Sequence, residues 1–234
     1  MVETLRQIKE PEEIERIAAA AVIADRGFEH ILGIMKPGMS ESEVALELEF
    51  AMRRDGSEEM PFSIIVASGP NAARPHAIPG DRRLEAGDLV VLDFGARVGG
   101  YCSVMTRTVA IGEISKEQRR LYGAVLEANE AGLAATRSGI PCVEIDHAAR
   151  EVLERHGLGA AFTHGVGHGV GLDVHEMPTV GPRSQESVRE NAVVTIEPGV
   201  YVEGFAGVRI EDLVVVEPSG VRTLTNAPKE LIQI

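Results

Sequence analysis

The sequence predicts an α+β fold built from two matching halves, each consisting of two helices followed by a β hairpin. Two observations point to a repeat: Gly38 recurs 101 positions later as Gly139, and VVLDFG around Asp93 recurs 104 positions later as VVTIEPG around Glu197. A third is the alternation of helical and β periodicity, which passes through the same order twice. Two such halves facing each other would set their hairpins side by side in an antiparallel or mixed sheet, with the helices packed outside.

In the first half, turn and capping residues predict where the elements begin and end. Pro37 stops the first helix, and Ser40 with Glu43 forms a capping box that opens a second helix ending at Gly56. Gly99 marks the turn of a hairpin. The predicted elements are a helix over residues 11–35, a helix from residue 40 to 56, and β runs over residues 63–68, 88–94 and 102–111.

In the second half, the same order recurs with glycines at corresponding boundaries. Gly139 separates two helical segments, Gly157 ends the second one, and Gly204 lies between two β runs. The predicted elements are helices over residues 118–137 and 143–156 and β runs over residues 192–196 and 207–216.

The charge balance argues against nucleic acid and anionic membranes as partners. The 234 residues include 36 acidic and 23 basic side chains, a net charge of −13, whereas both partners are bound by clustered Lys and Arg. No apolar run approaches the roughly 20 residues that span a bilayer, and the charged start MVETLRQIKE does not resemble a signal peptide. Cys102 and Cys142 form no metal or redox motif. We therefore expect a cytoplasmic protein.

Three carboxylates stand inside apolar β runs. Asp93 lies in LVVLDFG, Glu197 in VVTIEPG and Glu211 in VRIEDLVVV. A carboxylate in an apolar strand is costly to bury unless it is paired or binds a cation. Their related positions in the repeat indicate that the three converge on one site.

Three histidines lie within a glycine-rich stretch of the second half. The segment THGVGHGVGLDVHE contains His164, His168 and His175, and its glycines allow the backbone to pass close to another group. Carboxylates together with an imidazole suit Mn, Co, Fe or Zn better than a sulfur-seeking metal. The sequence therefore predicts a divalent metal site of carboxylates and one histidine.

The chain resembles the pita-bread (M24-type) metallopeptidases, and among them the Xaa-Pro aminopeptidases and dipeptidases (prolidases). The motifs that carry the resemblance are RPHAIPGDRRLEAGDLVVLDFG, GGYCSVMTRTVAIG, HGVGHGVGLDVHE, TIEPGVY and VRIED. The methionine aminopeptidases share the fold, but HAIPGDR, MTRT and the pair His164 and His168 are closer to the Xaa-Pro branch. The resemblance implies the pita-bread (creatinase/aminopeptidase) fold. It also implies a single catalytic domain over residues 1–234, without the N-terminal accessory domain that many relatives carry.

The family pattern implies five ligands around two divalent ions. Carried over, Asp93 chelates the first ion, His168 and Glu197 hold the second, and Glu211 bridges both. The fifth ligand is a bridging aspartate eleven residues after the first, and this position is Val104. Four carboxylates would balance the charge of two divalent ions, whereas three leave about one positive charge uncompensated. We therefore expect weak or single occupancy of the two metal positions, and impaired activity.

The resemblance also implies roles for the other polar residues. Glu197 would act as general base, and His76 and His175 would contact the substrate and stabilise the tetrahedral intermediate. His164 would line the same pocket, and Arg209 would orient the bridging carboxylate or the substrate. The implied substrate is a peptide with proline at its second position, and many relatives are homodimers.

Three alternative functions remain open from the sequence. The lost ligand at Val104 fits a catalytically dead, peptide-binding pseudoenzyme on the same fold. Methionine-aminopeptidase-like activity is a second alternative. A metal-independent amidinohydrolase similar to creatinase is the third, and the persistence of Asp93, His168, Glu197 and Glu211 argues against it.

Overall fold

The helices lie close to where the sequence predicts them. The computed structural model describes residues 2–234, and the predicted capping box is present, with Ser40 Oγ accepting from the Glu43 amide at 3.1 Å. The helix predicted to end at Gly56 ends two residues earlier, and Gly56 follows with a positive φ of 107°. The α-helices are α1 (Val2–Arg6), α2 (Pro11–Ile34), α3 (Glu41–Arg54), α4 (Lys116–Ala135) and α5 (Cys142–Arg155).

The strands form two sheets that repeat one order, in addition to two short hairpins. In the first half β1, β2 and β5 pair in that order, and in the second half β6, β8 and β11 pair in the same order, all antiparallel. This confirms the predicted repeat. The strands are β1 (Ile65–Ser68), β2 (Leu89–Phe94), β3 (Arg97–Val98), β4 (Tyr101–Cys102), β5 (Met105–Ala110), β6 (Gly167–Gly169), β7 (Glu176–Val180), β8 (Val193–Ile196), β9 (Gly199–Val202), β10 (Ala206–Arg209), β11 (Asp212–Glu217) and β12 (Gly220–Thr223).

The β run predicted over residues 207–216 is wrong as a single strand. The chain leaves one pairing and enters another at Glu211, because β10 pairs with β9 whereas β11 pairs with β8. The predicted hairpin of the first half is confirmed, with β3 and β4 forming its tip around Gly99 and Gly100. The break at Glu211 removes this residue from a regular ladder and leaves it at the junction between the sheets.

Each half has its own apolar core beneath its helices. Phe28 of α2 and Leu48 of α3 pack with Met105 of β5, while Val125 of α4 packs with Val194 of β8. The cores exclude water from both hairpins and hold the strands that carry the polar residues.

The halves meet where the two hairpins touch. Thr106, on β5, forms an antiparallel bridge with Glu211, and Arg107 pairs with Asp212 at 2.8 Å with both side chains 1% exposed. The predicted side-by-side arrangement of hairpins is therefore confirmed.

Six of the α-helices and strands lie outside the predicted segments: α1, β3, β6, β7, β9 and β12. They span two to five residues each, too few for a hydrophobic period to be visible. Across residues 2–234, no helix is long and apolar enough to cross a bilayer.

Candidate metal centre

A cleft of about 880 Å³ opens at the junction of the two halves. Every residue that the sequence predicts for the site lines it. These residues are His76, Asp93, Val104, His164, His168, His175, Glu197, Arg209 and Glu211.

Three of the predicted ligands form a compact cluster in this cleft. His168, Glu197 and Glu211 each offer a donor atom within 4.8 Å of the others. His168 Nε2 lies 3.3 Å from Glu197 Oε1. The His168 Nδ1–H donates to the Gly169 carbonyl at 2.9 Å, since a carbonyl can only accept, and this leaves the Nε2 lone pair facing the carboxylates.

The strands place this cluster through a close backbone approach. Glu197 directly follows β8, and its amide donates to the Val166 carbonyl at 2.7 Å. A Cβ on Gly167 would lie 1.9 Å from the Thr195 carbonyl oxygen, so only glycine lets β6 come this near to β8. The glycine-rich stretch therefore serves to bring His168 beside Glu197.

Asp93 lines the same cleft but is engaged by an arginine. Arg209 Nη2 donates to Asp93 Oδ2 at 2.5 Å, and Arg209 Nε donates to Thr106 Oγ1 at 3.0 Å. Thr106 in turn donates to Glu211 Oε2 at 2.7 Å. Arg209 thus contacts one predicted ligand directly and reaches the predicted bridging carboxylate only through a threonine hydroxyl.

The electrostatics of the cluster suit a divalent cation. Burial raises the pKa of Glu197, and burial together with Glu197 and Asp93 raises the pKa of Glu211 well above its ordinary value. Asp93 Oδ1 and Glu211 Oε1 are buried without a hydrogen-bond partner among residues 2–234. Burial also lowers the pKa of His168, which favours the neutral imidazole that binds metal. A cation would relieve the repulsion between the carboxylates and use the unpartnered oxygens.

Val104 lies between β4 and β5, immediately beside this set. It is 4% exposed and packs in an apolar cluster with Ile17 and Leu213. A Cβ on Gly95 would lie 1.9 Å from the Ser103 carbonyl oxygen, so this glycine lets the segment before β5 pass against the chain that follows Asp93. The position predicted for a bridging aspartate therefore lines the cleft with an apolar side chain.

The remaining histidines border the cleft, and two further residues connect to them. The His175 ring lies 4.3 Å from the His168 ring, and His76 is exposed. Tyr201 accepts from Arg209 Nη1 at 2.8 Å and lies 3.0 Å from His164 Nε2. The sequence prediction did not include Tyr201 or Thr106. Tyr201 is the last residue of TIEPGVY, and its place in a motif that carries the family resemblance was the one sign of a role in the site.

Comparison with known proteins agrees with this geometry. Residues 15–218 match the profile of metallopeptidase family M24. An uncharacterized peptidase of Bacillus subtilis is 47% identical over 99% of the chain, and an Xaa-Pro dipeptidase of Pyrococcus furiosus is 40% identical over 99%. The chain spans 65% and 67% of the lengths of these two relatives.

A solved structure supports the same assignment. The Xaa-Pro dipeptidase from Bacillus anthracis superimposes with a TM-score of 0.98 at 45% identity, covering 100% of this chain and 66% of that one. This confirms the predicted pita-bread fold. The chain belongs to metallopeptidase family M24.

Proposed function

We propose that the protein is a metal-dependent hydrolase for peptides with proline at the second position, with activity restricted by Val104. The observation that carries the proposal is the cluster of His168, Glu197 and Glu211 in a cleft lined by all the other predicted site residues. The similarity to Xaa-Pro dipeptidases supports the choice of substrate over that of a methionine aminopeptidase.

The residues around the cluster suit peptide hydrolysis. A divalent ion held by the cluster would supply Lewis-acid polarisation of water and of the scissile carbonyl. Glu197 would take the proton of the attacking water and pass it to the leaving nitrogen. His76 and His175, which border the open side of the cleft, would contact the substrate and stabilise the tetrahedral intermediate, and His164 would line the same pocket.

We further propose that this chain holds one ion firmly rather than two. Asp93, Glu197 and Glu211 carry about −3, and Arg209 beside Asp93 returns about +1, so the set matches a single divalent cation. The second ion of the family scheme would have Asp93, already bonded to Arg209, and Glu211 as its only carboxylates. The metal would be Mn, Co, Fe or Zn.

The test compares the unmodified chain with Val104→Asp and with Val104→Asn as a matched, uncharged control. We expect about one Mn per unmodified chain by elemental analysis, and about two for Val104→Asp. Hydrolysis of Ala-Pro should rise by about 100-fold or more in Val104→Asp, and not in Val104→Asn. The proposal is wrong if Val104→Asp with Mn or Co cleaves no Xaa-Pro peptide.

A second candidate is a peptide-binding protein without turnover. The packing of Val104 with Ile17 and Leu213 favours it, because a valine at this position offers no oxygen ligand to a bridging ion. Calorimetry with Ala-Pro in the presence of a chelator separates the two functions. Binding without metal and without cleavage favours this candidate, whereas metal-dependent binding favours the peptidase.

Several features stay predictions from the sequence. They are the cytoplasmic location, the homodimer, the absence of nucleic-acid and membrane partners, and the single catalytic domain over residues 1–234.

A further inference from the structure

One wall of the cleft is formed by the start of the chain. Arg6 of α1 lines the cleft together with residues of both halves. The segment that follows α1 is fixed to the second half, because Ile8 forms an antiparallel bridge with Ala192 and the Lys9 amide donates to the Asn191 carbonyl at 3.0 Å. Residues 8 and 9 therefore lie against the chain just before β8, the strand that leads to Glu197.

This segment places two cations on one buried carboxylate. Arg6 donates to Glu176 Oε1 through both Nε and Nη2, and Lys9 Nζ donates to Glu176 Oε2 at 3.2 Å. The side chains of Lys9 and Glu176 are only 2% and 6% exposed. Ion pairs shielded from water in this way are stronger and more directional than surface pairs.

Glu176 also shapes the turn that carries His175. Its Oε1 accepts from the Asp173 amide at 3.1 Å, and Arg6 Nη2 reaches Asp173 Oδ2 at 2.7 Å. A Cβ on Gly171 would lie 2.6 Å from Glu176 Oε2, so the carboxylate fills the space that this glycine leaves open. The turn over residues 171–176 is thus closed around the Glu176 carboxylate.

The turn is coupled to the ligand cluster as well. Glu176 pairs with Gly169 across β6 and β7, one residue beyond His168, and the His175 ring lies 4.3 Å from the His168 ring. A shift of Glu176 would therefore move His175 relative to the ligand cluster.

We propose that Glu176, clamped by Arg6 and Lys9, is a positioning residue that fixes His175 at the mouth of the cleft. Through this clamp, Arg6 and Lys9 help to hold the geometry of the site. The inference rests on the proposed function in one respect, namely that His175 contacts the substrate. The clamp itself is independent of that role.

The experiment uses four variants of the full chain. Glu176→Gln removes the charge that both cations share, and Arg6→Met removes one cation from a side chain that is 30% exposed, so this variant is expected to fold. Arg6→Lys retains the cation. Glu49→Gln is the matched control, because Glu49 forms an ion pair with Arg53 at 2.8 Å on the exposed face of α3.

Two readouts separate the clamp from its effect on binding. Amide hydrogen exchange over residues 171–177 should accelerate by about tenfold in Glu176→Gln and Arg6→Met, partly recover in Arg6→Lys, and stay unchanged in Glu49→Gln. With Mn present, the dissociation constant for Ala-Pro should rise by about tenfold in the first two variants, while exchange in the helical core stays constant.

The outcomes distinguish this inference from the proposed function. Unchanged exchange over residues 171–177 in both Glu176→Gln and Arg6→Met would overturn the clamp. Faster exchange with unchanged Ala-Pro affinity would overturn its role in positioning His175 for substrate. If the unmodified chain and Val104→Asp neither bind nor cleave Ala-Pro, the proposed function and the substrate role of His175 both fail, and the exchange rates still decide the clamp.

Discussion

At the scale of single residues, Asp93 and Glu197 occupy corresponding places in the two halves but have different neighbours. Glu197 faces His168, whereas Asp93 is bonded to Arg209. With an aspartate at position 104, Arg209 would be one cation among several balancing a larger negative charge. With Val104 it neutralises a third of the carboxylate charge of the site.

Restoring the aspartate should make the stability of the protein depend on metal. In the presence of a chelator, Val104→Asp buries a carboxylate next to three others, and we expect a loss of about 3 kcal/mol, or about 6–12 °C in Tm. Excess Mn should recover most of this loss, because binding to the folded state at 100 times Kd adds about 2.7 kcal/mol.

Differential scanning calorimetry with and without Mn measures this effect, with Val104→Asn as the neutral control. The asparagine variant should lose stability in both conditions and show a smaller Mn response. A Mn-induced rise in Tm no larger for Val104→Asp than for Val104→Asn would contradict the assignment of position 104 as a ligand position.

The clustering of the candidate ligands could be predicted from the sequence because carboxylates in apolar strands are chemically anomalous. Asp93, Glu197 and Glu211 stood out for this reason. Tyr201 and Thr106 did not, because a tyrosine or a threonine in a strand is ordinary. Their roles depend on which hydroxyl lies near Arg209, which only the packing of the two halves decides.

At the scale of elements, the segment that carries His76 is held by a carboxylate from a helix. Glu41, the first residue of α3, is fully buried and accepts from the Ser68 amide and hydroxyl at 2.8 and 2.7 Å. It also accepts from Asn71 Nδ2 at 3.1 Å and from the Gly80 amide at 3.2 Å. The segment from residue 69 to 80 is therefore attached at both ends to one side chain.

Replacing Glu41 by Gln should loosen this segment without unfolding the helix. The new NH₂ group would face at least one N–H or O–H that now donates to the carboxylate. That donor would lose its acceptor, at a cost of about 1–3 kcal/mol. Hydrogen exchange over residues 69–80 should accelerate, whereas exchange in α4 and α5 should not. Glu49→Gln, on the exposed face of the same helix, should change neither, and an equal effect of both variants would refute the role of Glu41.

Helices and long strands were predictable because their periods and caps are local. α2 ends three residues before Pro37, and α3 begins directly after Ser40 and ends two residues before Gly56. The short strand β6 was not predictable, since its residues GHG have no β propensity and pair only because Gly167 tolerates the close approach of Thr195. The break between β10 and β11 was not predictable either, because it arises from pairing with different partners: β10 pairs with β9, and β11 pairs with β8.

At the scale of the whole molecule, a buried ion pair joins the two halves. Asp212 of β11 bonds to Arg107 of β5, and Lys229 lies 2.9 Å from its other oxygen. Burial alone would raise the pKa of Asp212, but Arg107 and Lys229 outweigh it, so the pKa lies below its ordinary value of 3.8.

The sign of the pH dependence follows from this lowered pKa. The pair stabilises the protein above about pH 3.8, where an unfolded aspartate is already ionised, and the contribution is lost as the pH falls through the lower value of the folded state. Asp212→Asn should therefore cost about 3–5 kcal/mol at pH 7, because it leaves Arg107 buried without a counter-charge.

Urea unfolding at a series of pH values checks this prediction. The difference in stability between the unmodified chain and Asp212→Asn should be constant from pH 5 to 7 and shrink at pH values below 3.8. A difference that stays constant down to the acid limit would show that charge at Asp212 is not what joins the halves.

The arrangement in two halves was predictable because matching residues recur in the sequence at similar offsets, 101 positions from Gly38 to Gly139 and 104 from Asp93 to Glu197. Their contact was predictable only in outline, since the pairing of Thr106 with Glu211 follows from how two twisted sheets meet and from no local signal.

The break of the ladder at Glu211 has a consequence for how the donors are distributed along the chain. His168, Glu197 and Glu211 all belong to the second half, whereas the first half lines the cleft with Asp93 and Val104. In the proposed single-ion centre, the histidine and both glutamates would therefore come from one half of the molecule. A centre bridged by an aspartate at position 104 would instead depend on a ligand from each half, and so on the contact between Thr106 and Glu211 that joins them.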